Sequence, residues 1–413
     1  MAEQVPESDE QSLQHFLSNS PWDENAVMDH VAQDTNGLLG GYPDSALIID
    51  ESSIKKQGKK SVGVARQWSG RLGKVDNCQV GVYAALSHGN QVGIVNARLY
   101  LPEEWVGDPE RCQKARVPHD AQTTKTKIDI ALDMVRHARQ LGLNYQWVTM
   151  NGFYGQSGDL LRALDQDGET FMADVHSDQR IYLTDPKPFI PENTSDKGRR
   201  RSRYQSEIKE ISVTQWVKQQ PDSAWRRHTL RNGDKGPLRV EILHQRVWLW
   251  DKKESTAHCW HLLVRREIDS PNTLKFSLSN AAAATSGFKL AARQAQRFWI
   301  ERAFQDAKSH VGLARYQARN WPAWHRHMAL VMMATLFMLE QRETLKQQFP
   351  LLSCYDIQVL LATQLPNRQR EEGEIVRQLE QRHRKRQAAM DSAKACDKQR
   401  QRRKKRVAGN MTK

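Results

Sequence analysis

Residues 46–50 read Ala-Leu-Ile-Ile-Asp, a short apolar run that ends in an acid. Such a run predicts a buried strand with Asp50 at its carboxyl end. Strand alternation then turns the neighbouring Glu51 to the opposite face. The alternative for an acid at this place is a turn or a helix N-cap. The stretch therefore predicts either a functional carboxylate at a strand end or a local capping residue.

The segments that follow this run extend it into an α/β layer. Clusters of β-forming residues between turn signals predict strands over 58–65, 77–87 and 91–100, paired with the first. An amphipathic helix is predicted over 125–141, and residues 145–150 predict a further buried strand. Strands followed by a helix and another strand are the beginning of an α/β fold.

The second half of the chain is first β-like and then helical. Short or alternating β patterns occupy 171–175, 180–183, 238–250 and 259–266, and the last two are expected to pair. From residue 288 onward the pattern becomes helical. The middle of the chain therefore predicts a mostly β insertion between two α/β parts.

The charge of the chain favours a polyanionic partner. Its 413 residues include 62 Lys and Arg against 48 Asp and Glu, a net charge of +14. No apolar run approaches the roughly 18 residues of a membrane span, and the polar, acidic N-terminus does not resemble a signal peptide. The five scattered cysteines, with no Cys-x-x-Cys pair, fit a reducing cytoplasm. Nucleic acid is therefore the expected partner, and a membrane is not.

A second candidate carboxylate lies in the stretch 297–308, Arg-Phe-Trp-Ile-Glu-Arg-Ala-Phe-Gln-Asp-Ala-Lys. Helical spacing puts Arg297, Glu301 and Lys308 on or near one face, where a carboxylate between two cations suits metal and phosphate binding. The alternative is a solvated helix face with an Arg297–Glu301 ion pair.

A third candidate position is Asn151, which follows the predicted strand 145–150. Gly152 and Gly155 allow a tight turn and the close approach of a ligand, although a plain strand–loop junction has the same pattern. Two strand ends and one helix can converge on one point. Three carboxylates there would hold two divalent metals for phosphodiester cleavage, but position 151 is an amide.

Together these motifs resemble the DDE transposases of bacterial insertion sequences, of the IS four / IS seven-oh-one type. The resemblance runs from about residue 12 to 340 and rests on the order of several motifs. The matching segments are 47–53, 59–67, 77–80, 151–155 and 297–308.

The resemblance implies an α/β fold with an RNase H-like mixed sheet flanked by helices and interrupted by a β-rich insertion. A helical N-terminal lead-in and a basic, helical or disordered C-terminal tail complete it. The expected parts are a lead-in over 1–40 as the remnant of an N-terminal DNA-binding region, a first catalytic part over 41–165, the insertion over 166–285, a second catalytic part over 286–350 and the charged tail over 351–413.

The resemblance also implies cut-and-paste transposition with Mg²⁺, for which Mn²⁺ can substitute. Asp50, Asn151 and Glu301 take the three catalytic and metal-binding positions. Arg297, Lys308 and Tyr154 are the expected DNA contacts. The expected partners are the double-stranded DNA of the transposon ends and of the target, bound by a homodimer on paired ends. The expected location is the bacterial cytoplasm, at the nucleoid.

Three departures from the family pattern weaken this expectation. Asn151 stands at the second acid position, Gln294 stands where the family has Tyr, and the N-terminus is short for the family. An amide brings no charge to a metal, so the sequence predicts an inactive or impaired enzyme. Asp159, a nearby acid beyond the turn, is the alternative second ligand.

Two other functions fit the same residues. A catalytically inactive DNA-binding protein derived from a transposase agrees with Asn151 and with the short N-terminus. A structure-specific RNase H-like nuclease agrees with the metal site but not with the motif around Arg297 and Lys308. Cleavage of transposon-end DNA or a preference for branched DNA separates the three.

Overall fold

The computed structural model describes residues 6, 8–70, 72–192, 201–233, 236–366 and 371–410. Two compact units divide the chain: Met1–Phe16 with Gln358–Lys413, and Leu17–Ile357. The sheets and the candidate site belong to the second unit. Within the described ranges, no helix combines the length and the apolar character that a membrane span needs.

The bounds of the elements are as follows. The strands are β1 (Ala46–Lys55), β2 (Ala65–Ser69), β3 (Lys74–His88), β4 (Gln91–Leu99), β5 (Trp147–Met150), β6 (Phe171–Val175), β7 (Arg180–Ile181), β8 (Ile211–Ser212), β9 (Arg226–Gly233), β10 (Gly236–Leu249), β11 (His258–Glu267) and β12 (Ser270–Ser279). The helices are α1 (Glu10–Ser18), α2 (Glu24–Leu39), α3 (Glu103–Val106), α4 (Pro109–Lys114), α5 (Lys127–Gln140), α6 (Gly152–Gly155), α7 (Gly158–Gln166), α8 (Val213–Lys218), α9 (Gly287–Gln296), α10 (Phe298–Asp306), α11 (Trp321–Thr344), α12 (Cys354–Gln364) and α13 (Glu372–Asn410).

The strand order of the main sheet defines the fold. Strands β4, β3 and β1 are antiparallel neighbours, and β5 and then β6 follow β1 in parallel. Three antiparallel strands continued by two parallel strands, with the first strand in the middle, are the RNase H-like arrangement. The predicted fold class is therefore confirmed by the topology.

The β-rich segment continues the same sheet. Strand β12 pairs with β6, and β11, β10 and β9 follow in antiparallel order. The predicted pairing of 238–250 with 259–266 is confirmed as β10 against β11. The residues after β6 thus lengthen the sheet, so one continuous hydrogen-bonded ladder joins the parallel strands to the extension.

Helices cover both faces of the sheet, as its buried strands require. The amphipathic helix α5 begins at a capping box formed by Thr126 and Asp129, and it lies over one face. Helices α10 and α11 pack against the opposite face, and α9 covers the neighbouring part of that face. Glu51 points to the α5 side, where its Oε1 lies 3.5 Å from Lys127 Nζ. Asp50, one residue earlier, faces α9 and α10.

Two sequence expectations are corrected by the structure. Residues 58–64 form turns in place of the predicted strand, because Gly58 and Gly63 have φ of +81° and +70°. The strand in this region, β2, begins only at Ala65. Strand β1 also does not end at Asp50, since its pairing with β3 carries it to Lys55. Asp50 therefore lies where the parallel partner β5 ends.

Candidate active site

Three neighbouring parallel strands bring three polar side chains to one level. In β1 and β5, Ile49 lies opposite Met150, and in β5 and β6, Met150 lies opposite Ala173. The next residues along the three strands are Asp50, Asn151 and Asp174. Because residues in register face the same side of a sheet, these three side chains share the side covered by α9 and α10.

Asp50 is a buried carboxyl group, with 7 % of its surface exposed. Its Oδ1 accepts hydrogen bonds from Asn151 Nδ2 and from the backbone N–H of Glu51, both at 2.8 Å. Burial raises the pKa of Asp50 to about 7, while Arg297 acts in the opposite direction and the carboxylates of Glu51 and Glu301 add to the rise. The charged form of Asp50 therefore depends on a cation beside it.

Asn151 uses both ends of its amide inside the protein. Its Oδ1 accepts from the backbone N–H groups of Phe153 at 2.9 Å and Tyr154 at 3.4 Å, as the N-cap of α6. Its Nδ2 donates to Asp50. This pattern fixes the orientation of the amide, because only Nδ2 can donate to a carboxylate. Asn151 consequently presents an N–H, and not an oxygen, to Asp50.

A single guanidinium joins three carboxylates. Arg297 lies at the break between α9 and α10. Its Nη1 lies 3.2 Å from Asp50 Oδ2, its Nε 3.3 Å from Asp174 Oδ2 and its Nη2 3.0 Å from Glu301 Oε1. Burial alone would lower the pKa of Arg297, but the three acids together raise it. Each nitrogen thus faces a different acid, and the cation is the centre of the cluster.

Glu301 and Lys308 lie on the helical side of the cluster. The Glu301 side chain is 53 % exposed and contacts Arg297 one helical turn earlier, as the sequence spacing allows. Lys308 lies on a π-helical turn over Ala307–Val311, and its Nζ donates to Ser52 Oγ at 2.7 Å. Ser52 faces the same side of β1 as Asp50. Lys308 is therefore held beside the acid-bearing strand.

Tyr154 lies in the core beneath this site. No part of its surface is exposed. Burial, and after it the carboxylates of Glu51 and Asp50, raises the pKa of Tyr154 well above its usual value. The ring packs under the Asn151 turn in this structure, and the expected contact of Tyr154 with DNA stays a prediction.

Asp174 is the member of the cluster that the sequence did not single out. It ends the apolar run Phe171-Met172-Ala173, the same pattern that identified Asp50. Asp159, the acid considered as a substitute, lies elsewhere: its carboxylate is 75 % exposed and pairs with Arg162 and Lys253. In the structure, Asp174 and not Asp159 contacts Arg297.

The expected metal ligands do not fit a divalent ion as they stand. Among the described residues, no three Asp, Glu, His or Cys side chains form a group that could hold a metal. Asn151 turns its amide N–H into the site, and Glu301 lies on the far side of the guanidinium from Asp50.

Comparison with known proteins places the chain in a family. Residues 1–237, more than half of the chain, match the model described as DDE superfamily endonuclease. The chain belongs to this family, and the resemblance to insertion-sequence transposases is confirmed. The matched range contains Asp50, Asn151 and Asp174, whereas Arg297 and Glu301 follow it.

A curated relative and two solved structures are similar to parts of the chain. A probable transposase for insertion sequence element IS701 from Microchaete diplosiphon is 30 % identical over 175 residues, which are 42 % of this chain and 43 % of the relative. The match thus spans less than half of that protein. A piggyBac transposase synaptic complex with hairpin DNA is 12 % identical with a TM-score of 0.41, over 78 % of this chain and 52 % of its own. The NurA nuclease from Sulfolobus solfataricus is 8 % identical with a TM-score of 0.24, over 84 % of this chain and 100 % of its own.

Proposed function

We propose that this protein is a DNA transposase of the DDE type. It hydrolyses phosphodiester bonds at transposon ends and transfers the freed 3′ ends into target DNA, as a homodimer on paired ends in the bacterial cytoplasm. The observation that carries the proposal is the cluster around Arg297, in which Asp50 and Glu301 face one cation at the edge of an RNase H-like sheet. Membership of the DDE superfamily endonucleases supports the same chemistry.

Each side chain of the site has a role in this proposal. Endonucleases of this superfamily generally use divalent metals, and Asp50 and Glu301 are the acids that would hold such an ion, with Mg²⁺ as the natural ion and Mn²⁺ as a substitute. When bound, such ions supply an activated water and stabilise the leaving oxygen. Arg297 and Lys308 bind DNA phosphates, for which a guanidinium and an ammonium beside the acids are suited. Asn151 orients Asp50 through its N–H.

The number of negative charges at Asp50, Asn151 and Glu301 determines how strongly these positions could bind metal ions. Position 151 brings no negative charge, and a unit charge about 4 Å from a divalent ion interacts with it by about 8 kcal/mol at an effective dielectric constant near 20. A site with only Asp50 and Glu301 therefore binds a second metal much more weakly than a site with three acids. We therefore propose that Asn151 impairs the transposase activity of this chain.

Cleavage of a transposon-end duplex in Mg²⁺ tests the function. The unmodified chain, Asn151→Asp and Asp50→Asn are compared at equal DNA binding. Cleavage that Asp50→Asn abolishes identifies an enzyme with Asp50 in its centre. Cleavage by Asn151→Asp alone identifies an impaired transposase. Cleavage that survives Asp50→Asn would refute the site.

A catalytically inactive DNA-binding protein is the second candidate. It is favoured by the position of Arg297, whose single positive charge partly offsets the charge of the acids without a metal. Such a protein occupies transposon ends and blocks active copies. Retarded migration of end DNA in EDTA, without cleavage by any of the three proteins in Mg²⁺ or Mn²⁺, is the result that this candidate requires.

The division of the chain is also a proposal. We assign 41–165 and 286–350 to two parts of one catalytic domain and 166–285 to an insertion between them. Strands β9 to β12 of that insertion are supported as a sheet extension by the pairing of β12 with β6. We retain 1–40 as the lead-in and 351–413 as the charged tail.

A further inference from the structure

We propose that a basic surface beside the end of β1 binds the phosphate backbone of the DNA duplex, about six base pairs from the bond that is cut. It consists of exposed or half-buried cations that form no ion pair within the described part of the chain: Lys56, Lys59, Lys60, Arg66 and Arg319. Three of them lie on the basic turn, which we define as residues 56–64. The identity of the partner as DNA rests on the proposed function.

The sequence around this surface contains cations and no acid. Residues 52–75 include seven Lys and Arg but no Asp or Glu, and residues 307–339 include four Lys and Arg but no Asp or Glu. Elsewhere the two signs are mixed, since the whole chain has 62 basic residues against 48 acids. Stretches that carry charges of one sign produce a positive potential that attracts a polyanion.

The two acid-free stretches are hydrogen-bonded to each other. The backbone N–H of Val62 donates to the carbonyl of Arg319 at 2.9 Å, and the Lys56 ammonium donates to the carbonyl of Tyr316. The same ammonium lies 4.6 Å from the centre of the Tyr316 ring. Burial lowers the pKa of Lys56 to about 8, because the ammonium loses hydration there. A phosphate beside Lys56 would supply the negative charge that this cation lacks.

Side chains of the protein body hold the basic turn with its carbonyl groups directed inward. Asn77 Nδ2 donates to the carbonyls of Lys56 at 2.7 Å and Gly58 at 2.9 Å. The carbonyls of residues 59, 62, 63 and 64 accept from the side chains of Arg111, Gln79, Gln67 and Trp105, in that order. The negative ends of these peptide groups therefore lie against the protein, while the side chains of Lys59 and Lys60 are exposed.

Strand register puts the basic surface on the same face of the sheet as Asp50. Alternate residues of a strand share a face, and the backbone N–H of Lys56 still donates to Asn77 of β3 at 3.0 Å, so Lys56 lies on the Asp50 face. Arg66 of β2 is paired with Asn77 and shares this face. Trp68, two residues further along β2, is 56 % exposed. Exposed cations beside an aromatic ring suit a nucleic acid.

The distance along β1 sets the position of the contact on DNA. A strand advances about 3.3 Å per residue, so the six residues from Asp50 to Lys56 span roughly 20 Å. A DNA strand advances about 3.4 Å per base pair, so the same length corresponds to about six base pairs. Lys308, which donates to Ser52, lies near the beginning of this path. A duplex with its cleaved phosphate at Asp50 therefore meets the basic surface about six base pairs away.

Binding of a duplex of about 30 base pairs to the full chain, in EDTA and at several NaCl concentrations, tests the surface. The neutralised variant combines Lys59→Gln, Lys60→Gln and Arg66→Gln. Its matched control combines Lys209→Gln, Lys218→Gln and Arg226→Gln, which are exposed cations of the β-rich segment. Both lower the net charge by three, from +14 to +11.

We expect the neutralised variant to bind the duplex about tenfold or more weakly than the unmodified chain. The slope of log affinity against log salt concentration should become smaller by about two to three, since about one unit is lost for each phosphate contact. The control should keep its affinity within about twofold. Equal losses in the two variants, or no loss in either, would overturn the inference.

A charge-conserving variant checks that the measurement reports charge and not folding. It combines Lys59→Arg, Lys60→Arg and Arg66→Lys, and we expect it to bind the duplex within about twofold of the unmodified chain. Thermal melts compare the folding of all variants. A loss of binding in the charge-conserving variant equal to that in the neutralised variant contradicts a role of charge at these positions.

Ethylation interference on a transposon-end duplex locates the contact. Ethylation of phosphates about six base pairs from the cut bond should hinder binding of the unmodified chain but not of the neutralised variant. The same interference pattern in both proteins would refute the position. Weaker binding of the arbitrary duplex by the neutralised variant alone supports the surface even if end DNA is never cut. Cleavage of end DNA with unchanged affinity in that variant overturns the surface and leaves the proposed function standing.

Discussion

The two halves of the main sheet are built from different residues and contribute differently to the site. In the parallel part, β1, β5 and β6 each contain a short, mostly apolar run that a polar residue follows. The antiparallel extension, β9 to β12, has longer strands with charged residues along them. Parallel strands bring their carboxyl ends to one edge, so the first half concentrates acids. The cations of the extension are spread along its strands. The extension also holds Asp174 in place, because Ser277 donates a hydrogen bond to it.

The largest change in stability is expected from removing Arg297, the cation that pairs with the acids of the parallel strands. Arg297→Ala leaves Asp50 buried without its ion pair, and we expect a loss of about 3–5 kcal/mol in the free energy of unfolding. Urea denaturation in EDTA measures it. The control is Arg302→Ala on the same helix, whose partly exposed pair with Asp306 is worth at most about 1 kcal/mol. Equal effects of the two variants would mean that the cluster does not hold α10 to the sheet.

Core truncations compare the two halves directly. Leu47 in β1 and Leu262 in β11 are both completely buried, in the same hydrophobic cluster. We expect Leu47→Ala and Leu262→Ala each to cost about 2–5 kcal/mol in one common unfolding transition. Denaturation followed by circular dichroism and by tryptophan fluorescence measures both. A separate, earlier transition in Leu262→Ala alone would show that the extension unfolds by itself.

The buried His325 on α11 is expected to make the free energy of unfolding fall at low pH. His325 on α11 is 7 % exposed, and burial lowers its pKa to about 4, with Arg98 adding to the shift and a hydrogen bond to Trp321 O opposing it. The folded state thus prefers neutral His325, whereas the unfolded chain takes up the proton near pH 6.5. The contribution of neutral His325 to the free energy of unfolding is fully present above pH 6.5. It is lost as the pH falls towards 4, and the loss reaches about 3 kcal/mol.

Unfolding free energies between pH 7 and pH 4 check this expectation. His325→Gln should make the decline over that range smaller, although His244, whose pKa burial also lowers to about 4, still contributes to it. The exposed His119 provides the control variant, His119→Gln, which should keep the slope of the unmodified protein. An unchanged slope in His325→Gln would place the acid sensitivity elsewhere.

The smallest effect concerns a cation in the extension. Arg265 is 4 % exposed, its Nε and Nη1 have no hydrogen-bond partner in the described residues, and its nearest acid, Glu267, lies 4.0 Å away. We expect Arg265→Met to stabilise the protein by about 1 kcal/mol, because a poorly paired buried charge is replaced by an apolar side chain. The neighbouring Arg266, which is paired with Glu241 at 2.9 Å, gives the contrasting variant Arg266→Met, expected to destabilise. Thermal denaturation of both proteins distinguishes the two signs.

The polar residues that follow the parallel strands could be predicted as site residues only where the apolar run before them lay in the expected α/β part. Asp50 and Asn151 follow buried runs in the expected α/β part, and the structure brings them to 2.8 Å from each other. Asp174 follows the shorter run Phe171-Met172-Ala173, which was assigned to the insertion. Its position depends on the register with Met150 and on Ser277, more than 100 residues away. The local apolar run was present, but the sequence does not show the pairing that brings Asp174 to the other polar residues.

The strands of the extension show the same limit. Strands β10 and β11 alternate clearly and were predicted. Strands β9 and β12 read Arg-Arg-His-Thr-Leu-Arg-Asn-Gly and Ser-Pro-Asn-Thr-Leu-Lys-Phe-Ser-Leu-Ser, and they were not. Their polar residues become strands because β10 and β6 offer them backbone partners. Tertiary pairing, and not propensity, determines these elements.

Arg297 also changes the electrostatic potential that a polyanion meets when it approaches the site from solution. Three bare carboxylates at one sheet edge would repel a phosphate backbone over about one Debye length, near 10 Å at moderate salt. With Arg297 among them, part of that repulsion is cancelled before any ion arrives. In the proposed function, the net charge of +14 would then attract DNA against a weaker local repulsion at the site. The proposal therefore allows DNA to bind before a metal ion does.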